Sequence, residues 1–124
     1  MTLVDSSGWL EFFTDGPLAS AYAHHLKNLS EVVTPTIVLY EVYKVIKRQR
    51  SEEEALAAVA QMGKTQFVPL SDAIALSAAD VSLTYQVAMA DAIVYATSLT
   101  QRAKLVTSDA DLASLPGVVY LKKP

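Results

Sequence analysis

Short runs of β-branched and apolar residues alternate with helix-forming segments along this chain, and that alternation limits the possible folds more than any other feature. Helical segments separate the strand-like runs, as expected of a parallel sheet in an α/β fold. We therefore predict an α/β fold with a central, mainly parallel sheet of about five strands. The five predicted strands are Thr2–Val4, Glu31–Thr34, Gln66–Leu70, Lys104–Thr107 and Val118–Leu121.

Capping residues, proline and glycine predict where the helices between these strands begin and end. Ser6 or Ser7 is a candidate cap for a helix through Phe13, and Thr34-Pro35-Thr36 offers a capping hydroxyl to a helix through Arg50. The other predicted helices run from about Pro17 to Leu29, from the Ser51 cap to about Met62, from Ser71-Asp72 to about Tyr85, through Asp91 to near Arg102, and briefly after Asp109.

Length and composition restrict the class of protein. A chain of 124 residues fits one domain, residues 1–124. There is no cysteine, which excludes a disulfide framework and a thiolate metal site. The N-terminus lacks the pattern of a signal peptide and no apolar run could span a bilayer, so we predict a cytoplasmic protein without membrane association. The net charge of −3 argues against a generally basic nucleic-acid binder.

Two acids directly follow predicted strands. Asp5 follows Thr2–Val4, and Asp109 comes soon after Lys104–Thr107. Ligand sites of open parallel sheets form at the carboxyl ends of the strands, so both carboxylates are expected at the same edge of the sheet. Taken singly, each acid is also explained as a helix cap.

Two further acids lie within predicted helices. Glu41 stands between an apolar stripe and a basic edge that includes Lys44, and a surface ion pair would explain it equally well. Asp91 lies in the otherwise apolar stretch Val87–Ala96. It is a first-turn acid if its helix begins near Met89, or part of an apolar face if the helix continues from Thr84. The sequence leaves both possibilities open.

Together, the four acids predict a metal site. Like charges brought together raise one another's pKa and destabilise a fold unless a cation is shared. Carboxylates without cysteine or histidine suit a hard cation such as Mg²⁺ or Mn²⁺. Such an ion can activate water and stabilise the charge that develops on a phosphodiester during hydrolysis.

Four short motifs occur in an order and spacing that resemble the PIN-domain ribonucleases, and most of all the VapC-type toxins of prokaryotic toxin–antitoxin pairs. The resemblance covers the whole chain and implies a three-layer α/β/α fold and a Mg²⁺- or Mn²⁺-dependent endoribonuclease. It also implies a homodimer, inhibited by a small antitoxin protein from the neighbouring gene. The motifs are Val4-Asp5-Ser6-Ser7, Tyr40-Glu41-Val42, Ala90-Asp91-Ala92-Ile93 and Val106-Thr107-Ser108-Asp109.

The resemblance also implies roles for individual residues. It assigns catalysis and metal binding to four acids, namely Asp5, Glu41, Asp91 and Asp109. Ser6 and Thr107 match positions where a small hydroxyl orients a carboxylate or a bound water. Asp111 is interpreted as a helix-start residue or an accessory acid.

A basic group follows Glu41 on the same predicted helix. Lys44, Lys47 and Arg48 are interpreted either as a patch that guides RNA phosphates to the acids or as an ordinary solvated helix face.

Two other classes of function remain as alternatives. One is a receiver-like phosphoacceptor domain, which also places acids at strand ends of a parallel sheet. The other is a non-catalytic module that uses the same fold to bind a protein partner. The sequence does not indicate which RNA would be cleaved.

Overall fold

The computed structural model describes residues 1–124 and contains five strands and six α-helices. The strands are β1 (Thr2–Val4), β2 (Val32–Pro35), β3 (Gln66–Val68), β4 (Lys104–Thr107) and β5 (Val119–Tyr120). The helices are α1 (Ser6–Phe13), α2 (Ala19–His25), α3 (Thr36–Gln49), α4 (Glu52–Met62), α5 (Asp72–Tyr85) and α6 (Met89–Thr100). Single 3₁₀ turns at Leu29–Glu31 and Ala110–Leu112 complete the regular structure.

The five strands form one sheet in the order β3-β2-β1-β4-β5, and every pairing is parallel. Along the chain, β2 is added on one side of β1 and β3 is added beyond β2. The chain then crosses to the other side of β1, where β4 and β5 lie, so the order of the strands reverses between β1 and β4. In open α/β sheets this reversal leaves a crevice at the carboxyl ends of the strands, where ligands bind. Receiver domains have the order 2-1-3-4-5, so the strand order contradicts the receiver-like alternative.

Burial of the two central strands confirms the predicted α/β/α architecture. Leu3, Val4, Leu105 and Val106 are buried, as expected of parallel strands that are covered on both faces. The helices pack over the sheet and supply most of the remaining core, including the fully buried Trp9. The two central strands are therefore rigidly held, and so are the residues that immediately follow them.

Two of the predicted helix caps are wrong, because the hydroxyls concerned are used elsewhere. Asp5, and neither Ser6 nor Ser7, caps α1 by accepting a hydrogen bond from Gly8 N at 3.4 Å. Helix α3 begins after Pro35 without a side-chain cap. The Thr34 hydroxyl is instead hydrogen-bonded to that of Thr65 at 2.7 Å.

The caps of the next two helices are as predicted. Ser51 accepts from Glu54 N at 3.0 Å at the start of α4. Ser71 accepts from Ile74 N at 3.2 Å at the start of α5. In both cases the capping side chain has no competing long-range partner.

Several elements are shorter than predicted. Helix α2 covers only Ala19–His25, and the predicted last helix is the single 3₁₀ turn Ala110–Leu112. Strand β2 begins and ends one residue late, and β3 and β5 are cut short. Gln86 adopts a left-handed conformation (φ 57°) that ends α5, so α6 begins separately at Met89. Asp91 therefore lies in a first helical turn, which decides between the two interpretations of its position.

No single helix is long and apolar enough to cross a membrane. By length and composition alone, α5 and α6 would qualify only as a pair, and the chain bends by 115° between them.

Candidate active site

The acids at the two central strands meet at the carboxyl edge of the sheet. Val4 is paired with Val106 across β1 and β4, so the residues after them emerge side by side. Asp5 is the next residue after β1, and Asp109 follows β4 by two positions. The negative charge of Asp109 contributes to raising the pKa of Asp5, which shows that the two carboxylates are close enough to repel each other.

Asp5 is buried and both of its carboxylate oxygens are held by hydroxyls. Ser7 Oγ donates to Oδ1 at 2.6 Å, and Thr107 Oγ1 donates to Oδ2 at 2.6 Å. Burial raises the pKa of Asp5 above its ordinary value, because the charged form loses its hydration, and these hydrogen bonds oppose the rise. The carboxylate is therefore fixed in one orientation, because Ser7 of α1 holds Oδ1 and Thr107 of β4 holds Oδ2.

Glu41 reaches the same edge from the second turn of α3. Burial raises the pKa of Glu41, and the charge of Asp5 raises it further. A hydrogen bond with the Ser6 side chain and the positive charge of Lys44 act in the opposite direction. Glu41 therefore lies among the acids and is not an isolated surface residue.

Asp91 enters the group from the first turn of α6. Burial, repulsion by Asp109 and a hydrogen bond with that carboxyl raise the pKa of Asp91 to about 7. The charges of Asp111 and Asp5 add to the effect. A carboxyl group with this pKa is balanced between its protonated and charged forms at neutral pH, which is the expected response of a crowded acid without a cation.

Asp91, Asp109 and Asp111 form the tightest part of the group. Each offers one carboxylate oxygen, and these three atoms lie within 4.8 Å of one another. Asp109 Oδ1 also accepts from Asp111 N at 2.9 Å, which orders the 3₁₀ turn that carries Asp111. The structure thus places Asp111 directly beside the predicted acids.

These residues fit a divalent cation in both donor type and spacing. The donors are all carboxylate oxygens, the ligands that Mg²⁺ and Mn²⁺ prefer. Three carboxylate oxygens within 4.8 Å of one another could together hold one such ion. A shared cation would also relieve the repulsion that raises the pKa of Asp91.

The PIN domain family model matches residues 2–118 of this sequence, which includes every acid described above. The chain belongs to the PIN-domain family. No curated protein sequence matches it.

Solved structures have the same fold. A toxin–antitoxin complex from Klebsiella pneumoniae has a TM-score of 0.84 at 22% identity, over 99% of this chain and 100% of that one. The Mycobacterium tuberculosis toxin VapC20, which cleaves the sarcin–ricin loop, has a TM-score of 0.79 at 17% identity, over 99% and 100%. VapBC2 from Rickettsia felis, bound to a promoter DNA fragment, has a TM-score of 0.78 at 12% identity, over 98% and 97%. The resemblance to PIN domains is therefore confirmed for the family, and these toxin structures share the fold.

Sequence reasoning missed three residues that support the acids of this PIN domain. Ser7 donates to Asp5, and the backbone N of Ser108 donates to Ser7 Oγ at 3.0 Å. Tyr22, from α2, shares a 2.6 Å hydrogen bond with the Ser108 side chain. Ser7 and Ser108 stand beside the predicted acids in sequence and could have been suspected, whereas nothing local marks Tyr22.

The three basic residues of α3 lie on its exposed side in different surroundings. Lys44 Nζ is 3.3 Å from the Tyr40 hydroxyl, and its charge is felt by Glu41. Lys47 forms a 3.4 Å salt bridge with Glu52 of the next helix. Arg48 forms no salt bridge. Lys44 is thus the basic residue that the structure connects to the acids.

Proposed function

We propose that this PIN domain is a Mg²⁺- or Mn²⁺-dependent endoribonuclease that hydrolyses RNA phosphodiesters. The observation that carries the proposal is the convergence of acids from β1, α3, α6 and the segment after β4 on one edge of the sheet. Burial and the neighbouring acids, first of all Asp109, together raise the pKa of Asp91 to about 7. Acids held this close together destabilise a fold that binds no cation, whereas a cation site requires several acids close together.

The acids would hold the ion from several directions. We assign metal binding and catalysis to Asp5, Glu41, Asp91 and Asp109, with Asp111 as an accessory acid whose oxygen lies in the group of three. A bound divalent ion supplies Lewis-acid stabilisation of the charge on the scissile phosphate and activates water for hydrolysis.

Two hydroxyls fix the direction of the carboxylates. Thr107 donates to one oxygen of Asp5 at 2.6 Å, and Ser6 lies close enough to Glu41 to lower its pKa. Each supporting hydroxyl restrains the rotation of a ligand side chain, which preserves the geometry that octahedral Mg²⁺ demands.

The basic residues of α3 would bind the RNA backbone next to the acids. Lys44, whose charge reaches Glu41, would neutralise a phosphate close to the reaction, while Lys47 and Arg48 would extend the contact along the exposed helix. This arrangement gives a protein with a net charge of −3 a local means of attracting RNA.

We further propose that this PIN domain is the toxin of a type II toxin–antitoxin pair that acts in the cytoplasm. In support, structures with the same fold include a toxin–antitoxin complex from Klebsiella pneumoniae. The antitoxin would be a separate small protein that blocks the nuclease.

We place the predicted homodimer contact on α5 and the start of α6. A groove of about 330 Å³ lies there, lined mainly by apolar side chains, and Leu76 and Leu83 project beside it with 71% and 81% of their surface exposed. Between Lys64 and Arg102 the chain contains no lysine, arginine or histidine, so this face does not suit RNA. Projecting leucines beside a groove on one surface can pair with those of a second copy.

The first test is cleavage of RNA by the purified protein. We expect discrete products from total cellular RNA with Mg²⁺ or Mn²⁺, none with EDTA, and at least a 100-fold loss of rate in Asp5→Asn and Asp91→Asn. Glu53→Gln is the matched control, because this exposed acid on α4 forms no salt bridge and does not contribute to the raised pKa of any site acid. Its rate should equal that of the wild type.

The other outcomes have distinct meanings. Cleavage that survives both EDTA and Asp5→Asn would show that the acids are not the catalytic site. Mn²⁺ binding without cleavage of any RNA would favour the alternative of a non-catalytic protein-binding module.

A further inference from the structure

Tyr22 is fully buried although it lies on α2, a helix that carries none of the acids. Its ring packs against Gly8 of α1 so closely that a Cβ atom at Gly8 would lie 2.3 Å from Tyr22 Cε1. The absence of a side chain at Gly8 therefore makes room for the ring and fixes its position beside the start of α1.

The hydroxyl of Tyr22 begins a chain of short polar contacts that ends at Asp5. It shares a 2.6 Å hydrogen bond with Ser108 Oγ. The backbone N of Ser108 donates to Ser7 Oγ at 3.0 Å, and Ser7 Oγ donates to Asp5 Oδ1 at 2.6 Å. Residues from α2, α1 and the segment after β4 are thereby joined.

Ser108 is the residue through which this chain reaches the second acid. It stands between Thr107, which donates to Asp5, and Asp109, whose backbone N donates to Thr107 Oγ1 at 2.9 Å. Any movement of Ser108 away from α1 would shift Asp109 relative to Asp5. The hydrogen bond between Ser108 and Tyr22, whose ring lies against Gly8 of α1, opposes that movement.

Proton transfer does not explain the hydroxyl. Burial raises the pKa of Tyr22 to about 12, so the phenol remains protonated over the range in which RNA is stable. Filling the space next to Gly8 does not explain it either, because a phenylalanine ring would do so equally well.

We propose that Tyr22 is a positioning residue that sets the separation of Asp5 and Asp109 through Ser108 and Ser7. The inference rests on the proposed function, since it concerns how the same acids are held for a metal ion. Residues that hold the ligands in place commonly change metal affinity when they are altered.

Mn²⁺ affinity of Tyr22→Phe tests the proposal. The substitution keeps the ring against Gly8 and removes only the hydroxyl. We expect the Kd for Mn²⁺, measured by calorimetry well below the unfolding temperature, to rise about 3- to 10-fold. Binding is the readout, so the result does not depend on finding the RNA substrate.

Tyr95→Phe is the matched control. Tyr95 is also buried, and its hydroxyl donates to the carbonyl oxygen of Pro116 at 2.7 Å without a hydrogen-bonded path to any acid. This variant also loses one buried phenol hydrogen bond. We expect its melting temperature to fall at least as much as that of Tyr22→Phe, with wild-type Mn²⁺ affinity.

A second variant tests the route. Ser7→Ala removes the contact with Asp5 itself and should weaken Mn²⁺ binding about 10-fold. Because both changes break the same chain, the double variant with Tyr22→Phe should bind Mn²⁺ about as weakly as Ser7→Ala alone.

The results separate this inference from the proposed function. If the wild type binds Mn²⁺ and Tyr22→Phe binds it equally well, Tyr22 is structural only and the inference is wrong. Additive effects in the double variant would also contradict the proposed route. If the wild type itself binds no Mn²⁺, the metal site of the proposed function fails, and this inference fails with it.

Discussion

Asp91 is the residue at which the cost of assembling the acids is most visible. It sits in the first turn of α6, where the helix dipole favours a negative charge. Burial and neighbouring carboxyls nevertheless raise its pKa to about 7. Burial and repulsion together therefore outweigh the dipole, and Asp91 is balanced between its protonated and charged forms near neutral pH.

This raised pKa predicts how stability depends on pH. Between pH 3.8, the ordinary pKa of an aspartate, and about pH 7, the raised pKa of Asp91 lets the folded protein retain a proton that the unfolded chain has lost. The resulting stabilisation is complete below the unfolded pKa and is lost as the pH rises through about 7. Asp5 and Glu41, whose pKa values are also raised, act in the same direction.

In EDTA we expect the melting temperature to be about 3–5 °C lower at pH 7.5 than at pH 5, or about 1 kcal/mol after allowance for the partial solvent exposure of Asp91. Differential scanning calorimetry would measure it. Asp91→Asn should remove most of the difference, and the control Glu53→Gln should preserve it. Saturating Mn²⁺ should stabilise the wild type more at pH 7.5 than at pH 5. Because His25, with a pKa lowered by burial, acts in the opposite direction, the variant decides: a pH dependence in Asp91→Asn equal to that of the wild type would contradict the assignment.

At the scale of residues, the sequence predicts the acids better than it predicts the residues that hold them in place. The sequence shows the order of the acids along the chain, the ends of the strands and the apolar neighbours of each acid. These features are enough to select four candidates, Asp5, Glu41, Asp91 and Asp109. Tyr22 could not be selected in this way, since its partner Ser108 is 86 positions away and only the folded structure brings them together.

At the scale of elements, local signals are reliable where no distant group competes for them. Ser51 and Ser71 cap their helices as predicted. Thr34 and Ser7 do not, because each hydroxyl is used by a residue that the fold brings near: Thr65 in one case and Asp5 in the other. A capping motif therefore predicts that a helix begins there, but not which atom satisfies its first amides.

The prediction at the scale of elements concerns the basic residues of helix α3. The double variant Lys47→Glu/Arg48→Glu should weaken binding of single-stranded RNA and reduce the dependence of log Kd on log salt by about two units. Fluorescence anisotropy at several KCl concentrations would measure both, in an Asp5→Asn background that prevents cleavage. Lys47→Glu also removes the exposed salt bridge with Glu52, and exposed pairs of this kind contribute little to stability.

The matched control also reverses two positive charges, but at the opposite edge of the sheet. Lys27→Glu/Lys104→Glu alters two exposed lysines that lie near Thr2 at the start of β1. Equal losses in both double variants would show that net charge alone matters, and that the basic residues of α3 do not guide RNA.

At the scale of the whole molecule, the sequence predicts the class of fold but not the order of the strands. Alternating strands and helices indicate a parallel sheet wherever they occur. No local signal shows that Thr2–Val4 becomes the central strand, or that Lys104–Thr107 inserts beside it. That pairing is decided by burial of both faces of each strand, which depends on all the helices together.

The homodimer is the prediction that belongs to the whole molecule. Leu76→Asp/Leu83→Asp should convert a dimer to a monomer, because it places charge on an apolar contact. Light scattering coupled to gel filtration would show the change in mass. Leu56→Asp, at a leucine of α4 that is 52% exposed, should leave the dimer intact. A wild type that is monomeric at all concentrations would disprove the contact.

The pairing of β1 with β4 has a consequence for how the protein is made. Asp5 is synthesised early, directly after β1, whereas the paired strand β4 begins only at Lys104. A ribosome that has completed residues 1–100 has produced Asp5, Glu41 and Asp91 without the strand and loop that bring Asp109 and Asp111 among them. A chain of this design completes its acidic site only late in translation, so prematurely terminated fragments would be harmless to the cell's own RNA.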